Sequence, residues 1–454
     1  MNFLESLRGA RVLLFGAGVT GKPSEDFLRN RGAEVLVLDE RDKNDGVRNS
    51  IEGLALADFD FALVSPGWKP SHPWLEAVRS AGVSLISEID LAWRVKSEIA
   101  PHQRWIGLTG TNGKTTTVQM AESMALAAGI KARACGNVGT TVIEAVTSPE
   151  ADLLILELSS FQLEWSHEFK LDSAAILNIA PDHIDWHGSF DNYAAAKFKI
   201  CERSDLLIFN ESDSEIISRA REVKIRTVPF SLDTPANHQI GLVENLVIDR
   251  AFVSGDAEVL FELGDLNPAA PHNVLNAMAA AALIRSLGVS PEPIATALRS
   301  FKLDHHRLEL VAESGGVRWI DDSKATNPHA AIAALQSQLS AIWIAGGLAK
   351  GADMDELVQR VGSRIKAAIL IGSDADVIDQ ALAKFAPEIR REKIDSALKG
   401  EELMREVVAR AKTLSSVGDT VLLAPACASM DQFKNYAERG DLFAAAVREV
   451  LHVN

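Results

Sequence analysis

The run from Thr109 to Thr116, TGTNGKTT, leaves this chain few folds to choose from. An apolar segment, Trp105 to Gly110, leads into it, and a helix-compatible run leads out. Glycines let the backbone curl until several N–H groups face one oxyanion cluster, and the helix that follows adds its positive end. Lys114 can then reach the β- and γ-phosphates of a nucleotide, and the Thr115 hydroxyl can ligate Mg²⁺. A loop of this kind needs a parallel strand behind it and a crossover helix in front, which makes the surrounding domain α/β. The general phosphate-loop pattern would place glycine at 108, where this chain has Leu108.

Short apolar runs alternate with helical patterns along most of the remaining length. RVLLFG (Arg11 to Gly16), EVLVLD (Glu34 to Asp39) and FALVSPG (Phe61 to Gly67) read as buried parallel strands. The polar, proline-containing stretch Lys96 to Arg104 reads as a linker. A second series follows, with strands in DLLILELSS (Asp152 to Ser160), AAILNIAP (Ala174 to Pro181) and SDLLIFN (Ser204 to Asn210). Residues 224–268 are less regular and suit small antiparallel strands, and the alanine-rich run Val274 to Ser286 suits a helix. Beyond Ser300 to Glu309, further strands appear in GVRWIDDS, AIWIAGG, AAILIGSD and DTVLLAPA. The expectation is three α/β domains at 1–97, 98–303 and 304–454. The first and third are Rossmann-like and the central one resembles a P-loop ATPase.

The net charge of -16 argues against a nucleic-acid surface, because phosphate backbones call for clustered positive charge. Cys135, Cys201 and Cys427 are too scattered for a disulfide framework or a zinc site. No basic n-region with a following apolar run opens the chain, and no apolar stretch approaches the ~20 residues of a membrane span. The expected setting is the cytoplasm, with no membrane partner.

Other motifs carry chemistry. ELSSFQLE places Glu157 at a strand end, where a carboxylate after a phosphate loop is the natural second ligand for nucleotide-bound Mg²⁺. Alone, Glu157 reads more readily as a solvated strand-end carboxylate, and Lys197 reads as well as a surface helix lysine. PHNVLNA sets Asn273 and Asn276 on one helix face. Near the N-terminus, GAGVTG (Gly16, Gly18 and Gly21) followed by Asp39 is a Rossmann fingerprint. By itself it suits NAD(P) or any other pyrophosphate.

TGTNGKTT resembles the ATP loop of the Mur ligase superfamily, which also contains folylpolyglutamate synthetases. The resemblance runs from Gly16 to Phe443 as separate motifs in one order: each has a chance explanation, the ordered set does not. ELSSFQLE is similar to the branch that joins glutamate to UDP-N-acetylmuramoyl-L-alanine in peptidoglycan precursor synthesis. The resemblance implies ATP contacts from Gly110, Thr111, Asn112, Gly113, Lys114, Thr115, Thr116, Asn273, Asn276, Arg307 and Asp322. It implies two Mg²⁺ sites, held by Thr115, Glu157, His183 and a Lys197 carbamylated by CO₂. Imidazole is not a preferred ligand of so hard an ion, so the place of His183 follows from resemblance alone. Carbamylation requires a neutral amine, hence a lysine whose pKa is lowered by burial.

The glycine fingerprint is reassigned to the UDP end of the substrate. Val19, Thr20, Asp39, Glu40, Gly67 and Asn137 line it, with Ser159, Ser160 and Gln162 near the muramoyl portion. Lys324, Thr326, Lys350, Ser429 and Tyr436 are implied around glutamate; some relatives have Phe at Tyr436 and Leu at Met430. The implied reaction passes through an acyl phosphate, with Lys114, His183 and Lys197 as the catalytic set. The third domain would close about Phe301 to Arg307, expelling water. The expected partners are UDP-N-acetylmuramoyl-L-alanine and D-glutamate on a monomer, with L-glutamate or another ligase substrate of the superfamily as the alternatives. An NAD-dependent oxidoreductase leaves the phosphate loop unexplained, and a non-catalytic nucleotide-binding module leaves the candidate catalytic residues without a role.

Overall fold

A computed structural model describes residues 2–42, 44–148, 150–253 and 255–453. The chain divides into two compact units: Met1–Ala269 with Asn273–Phe301, and Ala270–His272 with Lys302–Asn454.

The first unit holds two sheets. One contains β1 (Arg11–Phe15), β2 (Glu34–Leu38), β3 (Val47–Arg48), β4 (Phe61–Val64) and β5 (Ser84–Ser87), all parallel, in the order β3-β2-β1-β4-β5. β4, and β1 after the exposed Arg11, are apolar and buried throughout, as parallel strands covered on both faces are. The strand order reverses between β1 and β4, which opens a crevice at their C-terminal ends.

The second sheet has nine strands: β6 (Arg104–Thr109), β7 (Ala132–Gly136), β8 (Leu153–Glu157), β9 (Ser173–Ile176), β10 (Leu206–Asn210), β11 (Arg226–Phe230), β12 (Ile240–Val243), β13 (Leu246–Asp249) and β14 (Glu258–Glu262). Their order is β14-β13-β12-β11-β10-β9-β6-β8-β7. β6, which leads into the phosphate loop, lies between β8 and β9 with both neighbours parallel. The irregular stretch of 224–268 does supply antiparallel strands, β12 to β14. The alanine-rich run forms the helix Pro271–Arg285, buried nearly all round, as expected of a helix apolar on every face.

One expectation needs correcting. Lys96 to Arg104 is not a linker throughout: the helix Glu88–Ile99 occupies its first four residues, and Arg104 already belongs to β6. A capping box between Ser87 and Asp90 starts that helix, and its buried face includes Leu91, Ala92 and Val95. Lys96 is itself largely buried, its Nζ turned out to Pro101 O at 3.1 Å, so a polar composition concealed an inward face.

The second unit holds β15 (Glu309–Ser314), β16 (Val317–Asp321), β17 (Ala341–Gly346), β18 (Ile365–Ile371), β19 (Arg390–Lys393) and β20 (Thr420–Leu423), in the order β15-β16-β20-β17-β18-β19. β15 and β16 form a hairpin whose turn, Gly315–Gly316, has φ of +59° and +73°. The other pairings are parallel. Among the described residues no helix is long and apolar enough to cross a membrane. The three cysteines are free and buried.

Candidate active site

The phosphate loop is fixed from three sides. Gly113 has φ +82° and caps the helix Lys114–Ala127, whose first turn carries Thr115 and the buried Thr116. A Cβ on Gly113 would collide with the side-chain oxygen of Asn276 on the helix Pro271–Arg285. Asn178, just past β9, clamps the loop both ways: its Oδ1 accepts from Asn112 N at 2.8 Å and its Nδ2 donates to Asn112 O at 3.0 Å. Thr111 Oγ1 meets the Tyr193 hydroxyl at 2.9 Å. Lys114 Nζ donates to Gly110 O and Thr111 O, both at 2.9 Å. Asn273, one turn before Asn276, donates to Pro268 O at 3.2 Å.

Beside the loop lies a cavity of about 110 Å³, whose lining includes Thr111, Lys114, Asn137, Ser159, His183 and Lys197. Glu157 is tied to it through the lining residue Asn137. The parallel register sets it opposite Leu108, and it is only 2% exposed, so it is no solvated strand-end carboxylate. Its Oε1 accepts from Asn137 Nδ2 at 2.9 Å, while its Oε2 is buried with no hydrogen-bond partner. A buried carboxylate oxygen left bare costs far more than a paired one unless a cation meets it, so the donor set fits a metal ion.

Lys197 is no surface lysine either. It is 2% exposed, and its Nζ donates to Gly110 O at 2.7 Å and lies 4.7 Å from the Tyr193 ring centre. Burial, and then the nearby Lys114 charge, hold its pKa well below the usual lysine value. The amine is thus pushed toward the neutral form that attacks CO₂. His183 takes a left-handed φ of +53°, and its ring lies 4.8 Å from that of Phe161. His187, one turn on, bonds Ser160 Oγ at 3.0 Å, and burial lowers its pKa to about 4.

The first sheet presents its expected residues at the β1/β4 crevice. A Cβ on Gly16 would lie 2.7 Å from Ser65 Oγ. Asp39 Oδ2 accepts from Ala17 N at 3.2 Å, and its Oδ1 accepts from Arg41 N at 2.9 Å and Asp42 N at 3.3 Å. Burial alone would raise its pKa, but these backbone bonds outweigh it and the value is lowered. Glu40 lies 3.3 Å from His72 Nε2, Val19 is 87% exposed, and Thr20 O accepts from Ser24 Oγ. Gly67 O accepts from Trp186 Nε1 at 3.2 Å, which joins this crevice to the segment bearing His183. Ser159 and Gln162 cap the helix Ser160–Trp165 by reciprocal bonds.

The second unit groups its own residues. Asp322 follows β16, and its Oδ1 accepts from Leu308 N at 3.2 Å. Burial, only partly countered by that bond and by Arg307, pushes its pKa up to about 7. Lys324 Nζ lies 3.7 Å from the Tyr436 ring centre, and Thr326 N donates to Lys324 O. Lys350 and Ser429 sit on neighbouring loops, after β17 and β20, joined by the Leu348–Ala428 bridge. The structure brings Lys324 to Tyr436 and the Lys350 loop to the Ser429 loop.

Several residues were missed in the sequence. Tyr193, Asp182 and Phe161 line the cavity and Asn178 clamps the loop beside it, and the signal for Tyr193 was its place one helical turn before Lys197. Arg439 is fully buried and donates to Ser323 Oγ at 3.0 Å, Ser323 O at 2.9 Å and Cys427 O at 3.1 Å. It lies one turn after Tyr436.

Comparison with known proteins identifies the class. The Mur ligase middle domain family matches residues 108–284, and the Mur ligase, glutamate ligase domain family matches residues 306–427. The chain belongs to the Mur ligase family of ATP-dependent amide-bond-forming enzymes, with the three-domain α/β arrangement of that family. Relatives similar along nearly their whole length carry a more particular name, UDP-N-acetylmuramoylalanine--D-glutamate ligase. That of Streptomyces coelicolor is 45% identical, over 97% of this chain and 98% of its own, and that of Thermobifida fusca is 46% identical, over 97% and 99%. Among solved structures, a pseudomurein peptide ligase type C from Methanothermus fervidus has a TM-score of 0.63 at 17% identity, covering 97% of this chain and all of that one. A MurF ligase from Thermotoga maritima in complex with ADP has a TM-score of 0.59 at 16% identity, covering 100% and 97%. At such identity these two speak to the fold alone.

Proposed function

We propose that this enzyme joins D-glutamate to UDP-N-acetylmuramoyl-L-alanine at the expense of ATP, releasing ADP and phosphate, as a step in peptidoglycan precursor synthesis. The observation that most supports the chemistry is the cavity beside the phosphate loop. There a lysine depressed toward its neutral form, a histidine and the loop lysine converge, next to a carboxylate with a bare oxygen. The shared name of the full-length relatives supports the choice of substrates.

A free carboxylate does not form an amide efficiently, because its oxygen is a poor leaving group. In our reading the terminal L-alanine carboxylate attacks the γ-phosphorus of ATP. A new P–O bond forms, the bond to ADP breaks, and an acyl phosphate results. Lys114 and the loop N–H groups offset the charge on the transferring group. The amine of D-glutamate then attacks the acyl carbon. That attack forms the C–N bond and a tetrahedral intermediate; the nitrogen loses a proton, and the carbonyl re-forms as the C–O bond to phosphate breaks and phosphate leaves.

Thr115 and Glu157 are suited to one Mg²⁺, and His183 with a carbamylated Lys197 to a second; bound there, the ions would neutralise charge on the phosphates. The carbamate forms when Lys197 Nζ bonds the carbon of CO₂ and sheds a proton. The first domain (1–97) takes the UDP end, the second (98–303) ATP, and the third (304–454) glutamate, through Lys324, Thr326, Lys350, Ser429 and Tyr436. The enzyme acts as a cytoplasmic monomer.

The test is phosphate release from ATP and Mg²⁺ with UDP-N-acetylmuramoyl-L-alanine, adding D- or L-glutamate in separate reactions. Release with D-glutamate alone is the expected result. Release with L-glutamate alone would keep the mechanism and change the product. No release with either, from folded protein that binds ATP, would refute the substrates.

A further inference from the structure

Three loops leave β17, β18 and β20 side by side, and the first and third carry Lys350 and Ser429. They approach too closely for side chains. A Cβ on Gly346 would collide with Ile371 O, one on Gly347 with Ala428 O, and one on Gly372 with Gly347. Leu348 and Ala428 exchange N–H···O bonds at 2.8 and 3.0 Å. Lys350 takes a left-handed φ of +52°, a conformation that a residue with a Cβ keeps only when its surroundings hold it there.

Asp374 supplies that hold. It stands at the N-cap of the helix Ala375–Phe385, where an aspartate ordinarily accepts from the first N–H groups of its own helix. It makes no such bond. Its Oδ2 instead accepts from Ala349 N at 2.7 Å, on the residue just before Lys350, and its own N–H donates to Gly347 O at 3.1 Å. Asp431, on the Ser429 loop, braces the arrangement: its Oδ2 accepts from Ser373 N at 2.8 Å. A carboxylate that forgoes its own helix to grip a neighbouring loop has a task in that loop.

We propose that Asp374 is a positioning residue for the amino-acid substrate: by fixing the peptide at Ala349 it holds Lys350 in the left-handed turn that presents its ammonium to a carboxylate of the incoming dicarboxylic amino acid. The proposal rests on the reading of Lys350 as a glutamate-binding cation.

Two variants separate positioning from folding. In Asp374→Ser the shorter side chain no longer reaches Ala349, and no helix cap is lost because Asp374 makes none. In Asp374→Asn an acceptor oxygen remains at the right distance. Phosphate release is measured with glutamate varied and then with ATP varied, beside a thermal melt. We expect Asp374→Ser to raise KM for glutamate about tenfold or more, leave KM for ATP within about twofold, and lower the melting temperature by no more than the loss of one hydrogen bond. Asp374→Asn should stay within about threefold of wild type on every constant. An unchanged KM for glutamate in Asp374→Ser overturns the proposal. So does a parallel shift of every constant, or an Asn variant as impaired as the Ser variant. If wild-type enzyme turns over with neither glutamate enantiomer, the substrate reading fails instead, and the premise with it.

Discussion

Replacing Lys197 with methionine would separate catalysis from stability, because the structure makes the two effects differ in sign. Burial first, and the Lys114 charge second, lower the pKa of this amine in the folded state. The unfolded chain, with a lysine near its ordinary value, therefore binds more protons. Stability linked to this group rises with pH toward that unfolded value, and at neutral pH the buried amine is a net cost. Methionine removes that cost and fills a similar volume. What it forfeits is the bond to Gly110 O, a carbonyl that keeps Lys114 Nζ at 2.9 Å. No buried acceptor is orphaned, so the loss is about 1 kcal/mol or less. The variant should melt at or above the wild-type temperature. Its rate should nonetheless fall by about 100- to 1000-fold, the scale of removing one fixed charge-stabilising group from an active site. The assay is initial phosphate release with both substrates and Mg²⁺ saturating, paired with a thermal melt. A folded variant within about threefold of the wild-type rate would refute the role given to Lys197.

Three further perturbations probe the same unit. Gly113→Ala forces a Cβ into a left-handed position at a cost of about 1–2 kcal/mol and drives it against Asn276, so KM for ATP should rise about tenfold or more; an unchanged value means that loop shape does not govern nucleotide binding. Glu157→Gln keeps the shape but removes the charge behind the bare Oε2, so the Mg²⁺ concentration for half-maximal rate should rise about tenfold or more, and an unchanged Mg²⁺ titration excludes Glu157 as a ligand. Glu88, buried with its Oε1 accepting from Ile143 N at 2.6 Å, has its pKa pushed up to about 7 by burial. The folded state then holds a proton that the unfolded state releases from about pH 4.5, so stability linked to Glu88 is present at low pH and is lost as pH rises to about 7, on the order of 3 kcal/mol in all. Glu88→Gln should flatten that dependence: its urea midpoint should exceed the wild-type midpoint at pH 8 and match it at pH 5, and equal midpoints at both would count against the assignment.

What the sequence disclosed was whatever a residue does within its own element. Period and composition located the most buried strands of all three sheets, because parallel strands buried on both faces leave apolar runs such as DLLILE and AAILIG, whereas β3, β5, β7, β15 and β19, short or partly exposed, went unread. The phosphate loop was legible for the same reason, its strand, glycines and helix being consecutive. The properties that make the site reactive were not, because they arise between segments far apart in the chain. Lys197 lies in FDNYAAAKF, which reads as any helix, and becomes a depressed amine only where that helix packs under Gly110. Glu157 acquires its bare oxygen only because β8 lies beside β6. Lys96 misled in the opposite direction, its charge hiding a helix that its stem helps to bury. Asp374, three residues past β18, is a residue type that ordinarily caps the helix it precedes, and nothing nearby in sequence signals that its carboxylate turns to Ala349 instead. Gly113 joins the two levels. The motif shows that a glycine is needed for the left-handed turn, and the structure adds a second reason: Asn276, from a helix much later in the chain, occupies the space a side chain would take. A single substitution there tests both reasons together, whereas Asn276→Ala clears the space but also removes an implied ATP contact, so it serves as the background in which Gly113→Ala is measured again. The amount by which the Gly113→Ala defect is smaller in the Asn276→Ala background than in wild type is the share due to packing, and the remainder belongs to the backbone.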